Sequence, residues 1–280
     1  MGRHILIVGG TKGAGRATAQ RFARDGWSVS VIGRSPAAPV GSLPEGAAYY
    51  SWDVTERSRA EAVLPEIVAR AGNPSCIAFF QRFRGEGDAL VGEIDVAVGA
   101  TCRIVDFLVD RFDLQNCAIV VIGSVNADFI GQRVSLGYHI AKAALRQLVR
   151  YYAVRLGPRG VRVNGVAPGT FLKNESREYF ESQPQLVDLY RRITPLRRMG
   201  DESDIADVVA FFGTDASSFV TGQEITVDGG LTLSLHDSVA RELLETTRLP
   251  RGVEETGKAA VGDLDDGVQH GENVSKRDRV

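Results

Sequence analysis

The sequence is poor in cysteine, methionine, tryptophan and histidine, and it has no long apolar run. Its three cysteines, Cys76, Cys102 and Cys117, are odd in number, form no CxxC pair and lie in apolar surroundings. That pattern argues against a disulfide framework and predicts reduced, buried thiols. The four histidines, at 4, 139, 236 and 270, are too scattered to suggest a metal site. No stretch approaches the ~20 apolar residues needed to span a bilayer. The opening "MGRHILIVGG" reaches Gly9 and Gly10 too soon for a signal-peptide core. A soluble, cytoplasmic protein without a membrane partner is expected. Surplus positive charge is also missing: a net charge of −2 with 24% charged residues leaves no basic footprint for nucleic acid.

What the chain does have is alternation. "HILIV" (4–8), "WSVSVI" (27–32), "AAYYSW" (47–52), "CIAFF" (76–80), "CAIVVI" (117–122), "VRVNGVA" (161–167) and "EITV" (224–227) read as seven strands. Between them, 14–25, 56–71, 93–111, 136–157 and 202–214 carry apolar residues at helical spacing, as in Ile104, Phe107, Leu108 and Phe112. Continuously apolar strands, each followed by a helix, imply a parallel sheet covered on both faces. The 280 residues suit a single doubly wound α/β domain with a seven-stranded, mostly parallel sheet.

The character changes near His236. The last 45 residues hold ten acidic and seven basic side chains and no aromatic. Such a segment buries too little apolar area to offset its ordering entropy. The domain is therefore placed at 1–235 and a charged extension at 236–280, with a short helix over 237–247 and disorder beyond Pro250.

"HILIVGGTKGAGRATAQRFARDG" runs strand, glycine turn, helix, with Gly9, Gly13 and Gly15 at GxxxGxG spacing. Glycines serve backbone angles with φ > 0 and close approach to a pyrophosphate, which sits at the positive end of the helix starting near Ala14. In this context the motif points to a dinucleotide. Thr11, Lys12 and Ala14 belong to the same loop. At the end of the second strand, "VSVIGRS" offers no acid for a ribose 2′-OH but places Arg34 and Ser35 where a 2′-phosphate is held. Lys12 either reaches the same phosphate or is a solvated loop lysine. The cations and the missing carboxylate favour NADP(H).

Tyr138 and Lys142 in "YHIAKAAL" stand four residues apart on one helix face. By themselves they fit a core tyrosine with a solvated lysine as well as a proton donor with its tuning cation. The order of motifs separates the two. Five segments, "VGGTKGAGRATA", "WDVTE", "VIGSVNADFIGQRVSLGYHIAKAAL", "GVRVNGVAPGTF" and "RRMGDESDIADVVAFFGTDASSFVTGQEITVDGG", resemble the short-chain dehydrogenase/reductase family over residues 3–235, particularly its 3-oxoacyl reductases. The resemblance implies a Rossmann-like domain and an oxidoreductase that interconverts ketones and secondary alcohols. It implies Ser124, Tyr138 and Lys142 as the catalytic set, Asp53 and Val54 near the adenine, and Pro168, Gly169 and Thr170 by the nicotinamide. It also implies that Lys142 holds the nicotinamide ribose and that the chain forms a homo-oligomer, a tetramer or a dimer.

The chemistry accounts for those residue types. Hydride delivery to a carbonyl carbon leaves negative charge on oxygen, which a tyrosine hydroxyl quenches by proton transfer. A free tyrosine titrates near ~10, so a nearby cation is needed to favour its ionised form at neutral pH. Ser124 would orient the substrate oxygen. His139 points about 100° away from Tyr138 on the helix and reads as packing or surface.

Two departures stand against the pattern. "FFQRFRG" (79–85) replaces the family's NNAG segment, and Ala97 aligns with its relay asparagine. Relay by water or by another side chain, a slower enzyme, or an altered substrate site all stay open. So does a dinucleotide sensor or scaffold that kept the fold and lost turnover, although such a protein has no need of Tyr138. Segment 170–198, between the PG strand and the last helix, is expected to form a lid. Arg82, Arg84 and Arg133, on loops at the cleft, are either grips for an anionic substrate or solvated or intersubunit arginines.

Overall fold

The computed structural model describes residues 2–247; the expected disorder beyond Pro250 lies outside the described residues. Seven strands form one sheet: β1 (His4–Val8), β2 (Ser28–Gly33), β3 (Ala48–Ser51), β4 (Cys76–Phe79), β5 (Ala118–Ile122), β6 (Arg162–Pro168) and β9 (Glu224–Val227). Their order is β3-β2-β1-β4-β5-β6-β9 and every pairing is parallel. A separate two-stranded ladder joins β7 (Phe171–Leu172) to β8 (Gly200–Asp201).

Both faces of the central sheet are buried because its inner strands β1, β4 and β5 are almost continuously apolar. In β1 the side chains of Leu6 and Val8 enter one core cluster and those of Ile5 and Ile7 the other. The first cluster is filled by α2 (Ala60–Ala71), α4 (Ala100–Arg111) and α5 (Leu136–Leu156), and the second by α1 (Gly13–Arg24) and α8 (Glu202–Gly213). Cys76 and Cys117 are buried in these cores and Cys102 is half-buried; all three are free thiols. Strand order reverses on either side of β1 and β4, so the crevice beyond their carboxyl ends is the natural ligand site of such a sheet.

The expected helix over 93–111 is not one regular helix. A short α3 (Ala89–Glu93) starts at Asp88, whose carboxylate accepts from the backbone of Leu90 and Val91, and a π-helical turn over Ile94–Gly99 joins it to α4. Ala97 lies in that turn, and its carbonyl accepts from the Thr101 hydroxyl at 2.6 Å. Residues 174–193 add a 3₁₀ turn, α6 (Arg177–Glu181) and α7 (Pro184–Ile193), while α9 (His236–Thr247) matches the helix expected over 237–247. No helix among the described residues is long and apolar enough to cross a membrane.

Candidate active site

The glycine loop leaves β1 by a turn that only glycine fits well. Gly9 has φ +86°, and a Cβ there would lie 2.9 Å from the Gln81 nitrogen at the end of β4. Gly13 (φ +54°) begins α1, and a Cβ at Gly15 would stand 2.4 Å from the Gly9 carbonyl oxygen. At Gly9 and Gly15 there is no room for side chains and at Gly13 the positive φ disfavours one, which gives a cradle at the positive end of a helix that suits a pyrophosphate. Thr11 is half-exposed, Lys12 is an exposed N-cap residue that makes no side-chain capping bond, and Ala14 is buried.

Arg34 and Ser35 follow β2 and are exposed; the Ser35 carbonyl accepts from the Tyr49 hydroxyl at 2.6 Å. Asp53 closes a turn after β3, its carboxylate accepting from the Thr55 amide at 3.0 Å and hydroxyl at 2.7 Å. Val54 is buried, and its carbonyl accepts from Arg103 at 3.1 Å. Pro168 ends β6. The Gly169 amide donates to Val227 at 3.0 Å, and a Cβ on Gly169 would meet Asp228 at 2.6 Å; Thr170 beyond it is exposed. The first three strands and β6 therefore bring these cofactor candidates to one edge of the sheet.

Ser124 follows β5 and is 7% exposed. Its hydroxyl oxygen accepts from the Asn126 amide at 3.1 Å, which fixes the start of the 124–131 loop. The loop is pinned at two further points. His139 is buried, bonded at Nδ1 to the Ser135 carbonyl at 2.8 Å and accepting at Nε2 from the Gly131 amide at 3.0 Å, so its role is packing. Arg146 bridges Asp128 of the loop and Glu224 of β9.

Tyr138 and Lys142 emerge from the first turns of α5, which is capped by the Ser135 hydroxyl. Lys142 is 5% exposed; its Nζ donates to the Ile122 carbonyl at 2.6 Å and lies 5.4 Å from the centre of the Tyr138 ring. Burial pushes the Lys142 ammonium down to about 8, opposed by the nearby carboxylates of Glu93 and Glu224 and reinforced by Arg82 and Lys173.

Several residues at this edge were not legible as site residues. Glu93 is 2% exposed, and its carboxylate accepts from Arg82 Nε and from the Phe83 amide, both at 3.4 Å. Gln81 donates to the Thr101 hydroxyl at 2.8 Å, and its buried Oε1 has no hydrogen-bond partner among the described residues, leaving an acceptor that a bound ligand would satisfy. The segment after β7 reaches the glycine loop. Glu175 accepts from the Gly13 amide at 3.4 Å and pairs with Arg16 at 3.3 Å, while Glu202 takes Arg16 at 3.2 Å and the Asn174 amide at 2.8 Å. Burial lowers the Lys173 ammonium, with Arg84 and Arg82 acting in the same direction. Of the three arginines singled out, Arg82 and Arg84 join this cluster, whereas Arg133 stands exposed on the loop before α5.

Residues 8–232 match a family model described as Enoyl-(Acyl carrier protein) reductase. Among curated proteins, a glucose 1-dehydrogenase of Gluconobacter oxydans is 30% identical over 256 residues, covering 83% of this chain and 92% of that protein. A 3-oxoacyl-(acyl carrier protein) reductase of Thermotoga maritima is 29% identical over 250 residues, covering 83% and 98%. Among solved structures, a short-chain type dehydrogenase/reductase from Mycobacterium ulcerans superposes with a TM-score of 0.73 at 28% identity, covering 82% of this chain and 90% of that one. With the parallel sheet, the glycine cradle and the Tyr138 and Lys142 pair on α5, these matches establish that the chain belongs to the short-chain dehydrogenase/reductase family of NAD(P)-dependent oxidoreductases.

Proposed function

We propose that the protein is an NADP(H)-dependent reductase of ketones, running in reverse as a secondary-alcohol dehydrogenase, with Ser124, Tyr138 and Lys142 as its catalytic set. The observation that carries this reading is the buried Lys142 ammonium against the Tyr138 ring, at the sheet edge that also holds the glycine cradle and Ser124. Gly9, Thr11, Lys12, Gly13, Ala14 and Gly15 would hold the pyrophosphate side of the cofactor, Arg34 and Ser35 its 2′-phosphate, and Asp53 and Val54 its adenine. Pro168, Gly169 and Thr170 would flank the nicotinamide, which supplies the hydride when bound.

The chain's own residues do the rest. Ser124 orients the substrate oxygen, Tyr138 delivers a proton to it from its hydroxyl, and Lys142 holds positive charge beside that phenol and binds the ribose. Its bond to the Ile122 carbonyl keeps the ammonium aimed at the site. Ala97 offers no side-chain relay, so proton resupply falls to water or to another polar group of the cleft. Residues 170–198 serve as the lid, the domain spans 1–235, and the chain works as a tetramer or dimer in the cytoplasm. Arg82 and Arg84 place positive charge beside the substrate, which favours an anionic one.

Loss of NADPH fluorescence against a panel of ketones tests the reading. Oxidation of NADPH dependent on a ketone is expected; tight NADPH binding with no turnover on any ketone would identify a sensor instead.

A further inference from the structure

The guanidinium of Arg82 lies over the face of the Tyr138 ring, with Cζ 4.5 Å from its centre. The same ring has Lys142 Nζ at 5.4 Å, so two cations border the proposed proton donor. Arg82 is held there by one side only. Its Nε donates to the buried carboxylate of Glu93, which also takes the Phe83 amide and so fixes the loop that carries the arginine. The two terminal nitrogens make no ion pair within the described residues, and the side chain is 45% exposed. An arginine whose task is to neutralise Glu93 would meet it through the terminal fork, where two parallel bonds form. Here Nε alone meets Glu93, and the fork lies over the Tyr138 ring with no carboxylate paired to it among the described residues.

We infer that Arg82 is the specificity-determining residue of this site and binds a carboxylate of the substrate through its terminal nitrogens, with Glu93 as the positioning residue behind it. The inference rests on the reading of Tyr138 as proton donor and adds the substrate class, a short oxo acid. The ring of Tyr138 sets the length. The guanidinium covers its face and the hydroxyl stands at its rim, so carboxylate and carbonyl are separated by only a few carbons. Charge sets the valence: Glu93 already takes part of the positive field, so a monoanion fits beside it better than a dianionic phosphate ester. Oxo acids are fully ionised at neutral pH. Lys173 and Arg84, close enough for their charges to act on one another and on Arg82's side of the site, add to the positive field there, with Glu175 and Glu202 offsetting part of it.

The test uses the full chain saturated with NADP⁺, which permits binding of a ketone without turnover. Affinities for 4-oxopentanoate and 5-oxohexanoate are compared with those for their methyl esters by saturation-transfer NMR titration. At least one acid should bind about 10- to 100-fold more tightly than its ester, the scale of hydrogen bonds to a charged group. Arg82→Met should bring the acid down to the ester's affinity and leave the ester unchanged. Arg82→Lys, which keeps the charge and loses the fork, should recover part of the preference, and Glu93→Gln should weaken acid binding while the ester again stays unchanged. Equal binding of acid and ester, no binding of either, or a preference that survives Arg82→Met overturns the inference. NADPH oxidation is measured separately with the same compounds. Acid binding without oxidation would retain the role of Arg82 and overturn the reductase reading, whereas equal oxidation of acid and ester, indifferent to Arg82, would do the reverse.

Discussion

Lys142 donates to the Ile122 carbonyl from a position 5.4 Å from the centre of the Tyr138 ring, so a buried ammonium and a phenol share one end of α5. Burial lowers that ammonium to about 8, with Glu93 the largest influence holding its charge in place. The proposed mechanism needs the charged form. Since the charged fraction falls as pH rises through about 8, kcat/KM for ketone reduction should fall on the alkaline side with a midpoint there. Removing the Glu93 charge in Glu93→Gln should move the midpoint to lower pH. A profile flat to strongly alkaline pH would remove the Lys142 charge from the rate-determining chemistry.

Cofactor choice should depend on Arg34. An arginine that binds a 2′-phosphate contributes about 1.5–3 kcal/mol, the scale of hydrogen bonds to charged groups. Arg34→Ala should therefore weaken NADPH by about 10- to 100-fold and leave NADH almost unchanged. Fluorescence titration with both cofactors checks this, and equal losses would mean that Arg34 serves the fold.

Glu175 places a carboxylate on the Gly13 amide, where a phosphate oxygen is expected. Two like charges about 4 Å apart repel by about 1 kcal/mol in water. Glu175→Gln should accordingly tighten NADPH binding by about 3- to 10-fold. Weaker binding in the variant would show that Glu175, with Arg16, instead latches the segment over the bound cofactor.

Thiol chemistry should be slow in the native protein. Burial pushes Cys76 up to about 12 and Cys117 well up, and Cys102, half-buried beside Tyr152, is also raised. With a disulfide reagent at neutral pH, Cys102 alone should react, slowly, and all three cysteines only in denaturant. Rapid native labelling of Cys76 or Cys117 would contradict the packing of both cores.

Much of the architecture was legible because the strands are short, mainly apolar runs set off from the helices: β1 and β9 fall where the pattern places them, and β2 is shifted by one residue toward Gly33. That His139 lies off the Tyr138 face was legible from helix geometry alone, whereas its choice between packing and surface was settled by its bonds to Gly131 and Ser135. The π turn over Ile94–Gly99 was not, since its apolar residues fit a regular helix equally well and only the backbone hydrogen bonds differ. Glu93 and Glu175 escaped for another reason. A charged residue reads as solvated until its partner is known, and their partners, Arg82 and Gly13, come from loops at the ends of other strands. The substitution of "FFQRFRG" for small residues was visible as a departure, but its use, to bring Arg82 over Tyr138, emerges only when β4 and α5 are set side by side.

In the proposed mechanism Tyr138 delivers the proton. Tyr138→Phe removes only the hydroxyl from a half-buried ring, so folding and NADPH binding should persist. Single-turnover oxidation of NADPH by Tyr138→Phe, with a ketone that the wild-type protein reduces, is the direct measurement. The rate should fall by roughly 10²–10⁴-fold, the range for loss of general acid catalysis. Oxidation at the wild-type rate would rule out Tyr138 as the proton donor and leave Tyr138 and Lys142 as a packed pair on an ordinary helix.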